Sequence, residues 1–316
     1  MKVLKKHLQE YLTLRRGLGF ELERVESRLQ SFIAFMKTKK ARQITTALAV
    51  EFALGSDHRS AATQAGYLSA IRGFAQYLSG IEPKTEVPPT GLVRRGHRPQ
   101  PYIYSDNEVI RILDAARKHP STDRYALKPH TLYCLFGLLS VTGMRLTEAL
   151  GLKAENIDWA QGVLTIGRAK FQKSRLVPLH ESALRQLRTY VKRRDRFFAK
   201  RPWRQPVNRV FVSTHGAPLT SNEVGHDFRM LTRRIGIRAV GASRGPRIHD
   251  LRHRFAVSTL LRWYRKGKNV DSLLPVLSTY LGHVFISGTY WYLTCIPELM
   301  RAAGKRLETR WEGGGQ

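Results

Sequence analysis

From Glu82 to Pro101 the chain reads EPKTEVPPTGLVRRGHRPQP, with several prolines, two glycines and no apolar period. Proline lacks the backbone N–H that a helix or a central strand needs, so neither element continues through this stretch. The stretch reads as a linker. By the usual length prior 316 residues make about two domains, and each part is long enough to bury a core of its own.

Before the break, Val25, Leu29, Phe32, Ile33 and Met36 recur at helical spacing, as do Tyr67, Ile71, Phe74 and Leu78. Gly17, Gly55 and Gly80 punctuate the helices, with Gly80 placed for a helix C-terminus. A small helical bundle is expected. After the break, Ser105, Asp106 and Glu108 form an N-cap signal, and helical patterns cover 105–118 and 129–141. The period then changes. Val163-Leu164-Thr165-Ile166 and Leu176-Val177-Pro178-Leu179, separated by basic residues, predict a small antiparallel sheet, with Val210-Phe211-Val212 as a further strand. Helices follow at 181–200, 220–235, 248–264 and 271–281, and a last one after Pro297. The fold class is mainly α with a small antiparallel β-sheet: a helical domain over 1–90, a basic linker over 91–102 and an α+β domain over 103–316.

The formal net charge is +30, of which residues 1–98 contribute +9 and residues 99–316 contribute +21. Both halves are basic, so this is not a neutral domain with a sticky tail. Two folded basic halves suit a duplex, whose phosphates carry about one charge per 1.7 Å of axis. A hydrophobic content of 42% excludes a disordered basic tail. Two cysteines, Cys134 and Cys295, exclude a disulfide framework and a Cys-rich zinc site; each lies in an apolar run, so both are expected reduced and buried. The basic first residues hold no uninterrupted apolar core of a secretory signal, and the longest apolar stretch, Thr131 to Val141, falls short of the roughly 20 residues that span a bilayer. A cytoplasmic, nucleoid-associated protein with no membrane partner is expected.

Four segments place the same few chemical types in otherwise apolar contexts. Thr142-Gly143-Met144-Arg145 sets an arginine at a glycine turn past a buried helix. Lys170 lies in the turn between the two strand runs. His249-Asp250-Leu251-Arg252-His253 opens a helix, which puts His249 and Arg252 on one face. Leu281-Gly282-His283 is followed nine residues later by Tyr292, within Thr289-Tyr290-Trp291-Tyr292. Two arginines, two histidines, a lysine and a tyrosine fit phosphodiester transfer. Guanidinium forks match the nonbridging oxygens bidentately. A phenol can attack phosphorus and hold it covalently. A lysine can protonate the departing sugar oxygen, and histidines can position the phosphate and manage the tyrosine proton.

At these residues the chain resembles the tyrosine recombinases, the phage integrase, Xer and Cre group. Thr142 to Glu148 match that family's T-G-hydrophobic-R motif and its following Glu, and Lys170 with Arg175 to Leu179 match the β-turn lysine and the R-L-V-P-L strand. His249 to Ala256 match the H-x-L-R-H-x-F-A box, and Leu281 to His283 with Tyr292 match L-G-H and the tyrosine. The resemblance covers roughly residues 102–310, and the amino-terminal half looks like the family's core-binding domain. It implies that Arg145 and Arg252 clamp the scissile phosphate, Lys170 acts as general acid, His249 supports phosphate and proton transfer, His283 hydrogen-bonds the phosphate, and Tyr292 forms a 3′-phosphotyrosyl link. It implies no metal and no cofactor. The implied partners are double-stranded DNA recombination sites, a homo-tetramer on two paired sites that exchanges strands through a Holliday junction, and accessory DNA-bending proteins. The C-terminal helix, Pro297 to about Leu307, is implied to dock on a neighbouring subunit.

The sequence also departs from the pattern. Arg252 and His283 are 31 residues apart, longer than in compact Xer-like members, and an extended loop around Trp263 to Lys268 is expected. The lysine turn lacks the family's usual second glycine, so Lys173 rivals Lys170 as the acid, and Tyr290 rivals Tyr292 as the nucleophile. The basic run of Arg193, Arg194, Arg196, Lys200, Arg201 and Arg204 reads as a solvated helix face. Asp250 reads as a residue that caps or orients its helix end. A DNA-binding protein without chemistry and a type IB topoisomerase are the competing functions. The target bases, and the choice among integrase, transposon recombinase and dimer resolver, are not encoded in any motif here.

Overall fold

The computed structural model describes the chain apart from residues 1, 21, 56–58, 94–99, 121, 123–125, 170–172, 205, 243, 296 and 313–316, and apart from the side chains of 168, 169, 173, 294, 295 and 306–312. The chain divides near residue 99 into two compact units.

Among the described residues, the first unit holds four helices: α1 (Lys2–Gly17), α2 (Glu23–Thr38), α3 (Thr46–Leu54) and α4 (Ala61–Leu78). Thr45 and Ser60 start α3 and α4 by accepting the Leu48 and Thr63 backbone N–H groups on their hydroxyls. The helical stripes meet in a core of Leu12, Leu29, Phe32, Met36, Ile71 and Phe74. Within it, Phe32 and Phe52 lie 5.3 Å apart and Tyr11 and Phe74 lie 5.6 Å apart in tilted pairs. The first part of the proline stretch is tied down, because Arg72 on α4 donates from Nε to the Pro88 carbonyl at 2.6 Å. At the end of α4, Ser79 is the cap, and Gly80 does not take the left-handed conformation.

The second unit begins with α5 (Asp106–Arg117), opened by the Ser105–Glu108 capping box. It continues through α6 (Lys128–Thr142), α7 (Leu146–Gly151), a three-stranded sheet, and α8 (Glu181–Ala199) to α13. The strands β1 (Ile157–Asp158), β2 (Val163–Ala169) and β3 (Lys173–Pro178) pair antiparallel in sequence order. Val210 to Val212 are buried but form no strand; Val212 makes one isolated bridge with Pro218. Helix α6 is buried along most of its length, and Leu135, Phe136 and Leu139 form a core with Phe211 and Phe228. Cys134 is buried there, and burial pushes its thiol up to about 12, so it is inert at neutral pH.

After α9 (Ser221–Arg234) come α10 (Asp250–Arg265), α11 (Val270–Leu281), α12 (Ser287–Cys295) and α13 (Pro297–Glu312). They enclose a second core of Ala256, Val257, Leu260, Leu274, Leu281, Tyr292 and Leu299. The extended loop expected between Arg252 and His283 is absent: α10 runs on to Arg265 and α11 starts at Val270. Apolar side chains such as Leu260, Val270 and Leu274 carry the helical period up to the turn on either side. The basic run on α8 is likewise not purely solvated. Arg194 turns inward to donate to the Arg209 and Val210 carbonyls at 3.0 and 3.1 Å.

Candidate active site

The site is built on the carboxyl end of α11. The last carbonyls of a helix have no partner within it and carry the negative end of its dipole, so they attract cations. Three successive ones here each hold an arginine. Arg175 on β3 donates Nε to the Tyr280 carbonyl at 2.7 Å. Arg252 on α10 donates Nη2 to that of Leu281 at 2.6 Å, and Arg145 before α7 donates Nη2 to that of Gly282 at 2.8 Å. Arg252 also donates Nη1 to the Gly143 carbonyl at 2.8 Å, which ties the turn after α6 to the same point.

Two glycines make this convergence possible. Gly143 and Gly282 both adopt left-handed backbone, at φ 62° and 68°. A Cβ at Gly143 would stand 2.6 Å from the Phe255 ring, and one at Gly282 would stand 2.8 Å from Arg175 Nη1. The Thr142-Gly143 and Leu281-Gly282 pairs are therefore packing requirements of the arginine cluster.

Glu148 is the counter-charge. Arg175 grips it bidentately at 2.9 and 2.8 Å, and Arg145 donates to it from Nη1 at 2.9 Å and from its backbone N–H at 2.7 Å. Burial pushes the Glu148 carboxyl up, but the Arg175 hydrogen bonds, the Arg145 N–H and both guanidinium charges outweigh it and hold the group below the usual carboxylate range. Arg252 is 3% exposed. Burial, then the Arg145 charge, lowers it to about 10, so it stays a cation at neutral pH. Three guanidinium groups around one carboxylate leave a partly enclosed excess of positive charge. Such a site gains most from an anion with several oxygens.

His249 occupies the N-cap position of α10, makes no side-chain capping bond and is exposed. Crowding by the surrounding protein, then the Arg252 charge, pull it down to about 4, so it is a neutral imidazole at pH 7. His283 is half-buried and its Nδ1 lies 2.7 Å from the Thr289 hydroxyl. The ring stacks near that of Tyr292, with centroids 6.4 Å apart. Tyr292 is 1% exposed, whereas Tyr290 is 44% exposed, so the fold turns Tyr292 inward. The Tyr292 phenol is close enough to Arg252 to raise the hold of that guanidinium on its proton.

The structure thus gathers Arg145, His249, Arg252, His283 and Tyr292. Lys170 lies outside the described residues. Its rival Lys173 is the first residue of β3, paired with Ala169. Sequence reasoning assigned no role to three polar groups of the cluster. Arg175 and Glu148 were visible only as parts of motifs, and their bond joins residues 27 apart. The third is His253, one turn beyond His249, whose Nδ1 lies 2.9 Å from Tyr292 Oη. Among the described residues, no group of His, Cys, Asp and Glu could hold a metal ion, and no helix is long and apolar enough to cross a membrane.

The phage integrase family profile matches residues 104–296. The chain is 45% identical over 314 residues to y4rB of Sinorhizobium fredii, designated an integrase/recombinase, covering 99% of both chains. It is 32% identical over 243 residues to tyrosine recombinase XerD of Rhizobium meliloti, covering 75% of this chain and 71% of that one. The fold is similar to that of the Tn1549 transposon integrase in complex with transposon right end DNA, with a TM-score of 0.66, 16% identity, and 96% and 99% of the two chains covered. The chain belongs to the phage integrase family of tyrosine recombinases, enzymes that cleave and rejoin DNA.

Proposed function

We propose that the chain is a site-specific recombinase in which Tyr292 attacks a DNA phosphorus to form a 3′-phosphotyrosyl intermediate. The observation that carries this is the buried phenol beside an arginine cluster with positive charge in excess of its carboxylate. Arg145 and Arg252 hold the nonbridging oxygens and stabilise the charge that grows on them in flight. Neutral His249, together with His283, completes the hydrogen bonding to the phosphate. Lys170, in the β2–β3 connection, protonates the departing 5′-oxygen. The phosphotyrosyl ester conserves the bond for religation to a second strand, so no hydrolysis and no cofactor are needed.

The helical first unit serves as the core-binding domain, and both basic units contact the duplex. Four protomers act on two paired sites through a Holliday junction, with α13 docking on a neighbour and DNA-bending proteins as accessory partners. The role is integration, excision or transposition of a mobile element. In support, one similar structure is a Tn1549 transposon integrase with transposon end DNA, and another is a lambda integrase tetramer bound to a Holliday junction.

The test is covalent capture. The protein is incubated with a pool of nicked duplexes of randomised sequence and the products are resolved under denaturing conditions. A protein–DNA adduct that disappears in Tyr292→Phe is expected. An adduct that survives this change but disappears in Tyr290→Phe reassigns the nucleophile, and the lack of any adduct overturns the reading.

A further inference from the structure

The buried phenol already has an imidazole within hydrogen-bond distance, and it is not that of His249. His253 is 4% exposed on α10, and its Nδ1 is 2.9 Å from Tyr292 Oη. Its other ring nitrogen, Nε2, faces Asp250 Oδ1 at 4.0 Å. Asp250 is 1% exposed and is itself fixed: Oδ2 accepts the Arg247 backbone N–H at 2.7 Å, and Oδ1 accepts from the Arg247 side chain at 3.1 Å. The Arg247 carbonyl in turn accepts from the Tyr104 hydroxyl at 3.1 Å. An imidazole that accepts at Nδ1 carries its proton on Nε2. A carboxylate on the Nε2 side favours that tautomer and stabilises the imidazolium formed when Nδ1 takes a second proton. The order carboxylate, imidazole, hydroxyl nucleophile follows the logic of the serine hydrolase triad.

His249 is placed differently. Its ring lies 4.9 Å from that of His253, centroid to centroid, and makes no hydrogen bond among the described residues. The groups around the His253–Tyr292 pair include Asp250 and Arg252 on the same helix, His249 at its N-cap, Arg247 before it, Trp291 on α12, and His283, which stacks near Tyr292 from the turn after α11. Asp250 also acts on His249 and favours its proton, but crowding by the surrounding protein, then Arg252, with Arg247 and Arg145 adding to them, outweigh it.

The geometry points to His253 as the catalytic base for the tyrosine, with Asp250 as its positioning residue. This rests on the strand-transfer reading above. As the bond from Tyr292 Oη to phosphorus forms and the bond to the 5′-oxygen breaks, the phenolic proton passes to His253 Nδ1. The leaving oxygen takes its proton from the general acid on the other side of phosphorus. Religation runs the same transfers in reverse, and both groups return to their starting state.

The test uses the full chain and a duplex enriched from the randomised pool by binding to the Tyr292→Phe protein. His253→Gln retains a hydrogen-bonding side chain but no base. It is expected to slow adduct formation about a hundredfold or more while DNA binding stays within threefold. The loss is expected to persist on a duplex in which sulfur replaces the scissile 5′-oxygen, since a thiolate leaves without a proton and only nucleophile activation then matters. Added imidazole is expected to recover part of the rate in His253→Gly. Asp250→Asn is expected to lose about tenfold, with Asp250→Glu recovering most of it. Thermal unfolding is followed throughout, and His253→Asn replaces His253→Gln if that variant does not fold. A rate within threefold of wild type, or a loss that vanishes on the sulfur duplex, overturns the role of His253. If the unaltered protein forms no Tyr292-dependent adduct, the strand-transfer reading itself fails.

Discussion

The two units bury opposite things. The core of the first is aromatic and aliphatic from end to end, with Phe32, Met36, Ile71 and Phe74 inaccessible to solvent. The second unit has such a core around α6, but at the carboxyl end of α11 it also buries Arg252, Asp250 and His253. Burying charge is unfavourable unless each group is paired or hydrogen-bonded. The first unit is therefore stable through area removed from water, and the second through geometry. Removing a methylene from the first leaves a cavity. Removing one member of the polar cluster leaves a desolvated charge.

Several variants would break or sharpen this contrast. Arg252→Ala should act on chemistry most of all, slowing adduct formation about a thousandfold while DNA binding remains measurable; equal loss of both would make the residue structural. Phe74→Ala should destabilise the first unit by about 3–5 kcal/mol, seen as an earlier unfolding transition that leaves the second unit's transition in place. Glu148→Gln should destabilise the second unit by about 3 kcal/mol, because Arg175 and Arg145 lose their counter-charge. If Glu148→Gln instead unfolds like a surface change, the cluster is not the polar core described here. Ser60→Ala should cost only about 1 kcal/mol, the value of one helix cap.

A smaller effect is expected with pH. The His249 pKa in the folded state is about 4, below the ordinary value of 6.5, so the unfolded chain binds more protons between those values. The folded state keeps its full stability above about pH 6.5, and this contribution falls as pH drops toward 4. His249 is exposed, so solvent screening moderates the effect. His249→Gln should flatten the melting temperature in this window. Glu148 works lower down: its depressed pKa adds stability above the carboxylate range, lost as pH falls through its folded value.

Sequence reasoning was accurate where local rules decide. Helical stripes placed α2, α5, α6 and α8 to within a few residues and marked the C-terminal part of α4, and the Ser105–Glu108 cap marked the start of α5. It failed where packing decides. Val210 to Val212 have β-type side chains but lack a partner strand. The residues from Trp263 to Lys268 looked like an extended loop, yet α10 and α11 are joined by a short turn. Helix α12 was invisible because Thr289 to Tyr292 form an aromatic cluster without a polar face.

By itself the sequence determined that there are two basic units, where most helices lie, and which chemical types belong to the site, because capping, periodicity and charge are properties of neighbours along a chain. Only the tertiary structure decided that Tyr292 faces inward and Tyr290 outward, that Glu148 answers Arg175, and that His253 meets the phenol. Those pairs join residues far apart in the chain, and whether two such groups touch depends on how helices cross and where α11 ends. Gly143 and Gly282 connect the two levels. Each is readable as a turn residue in the sequence, but the reason that no side chain fits is an arginine or a phenylalanine over a hundred residues away.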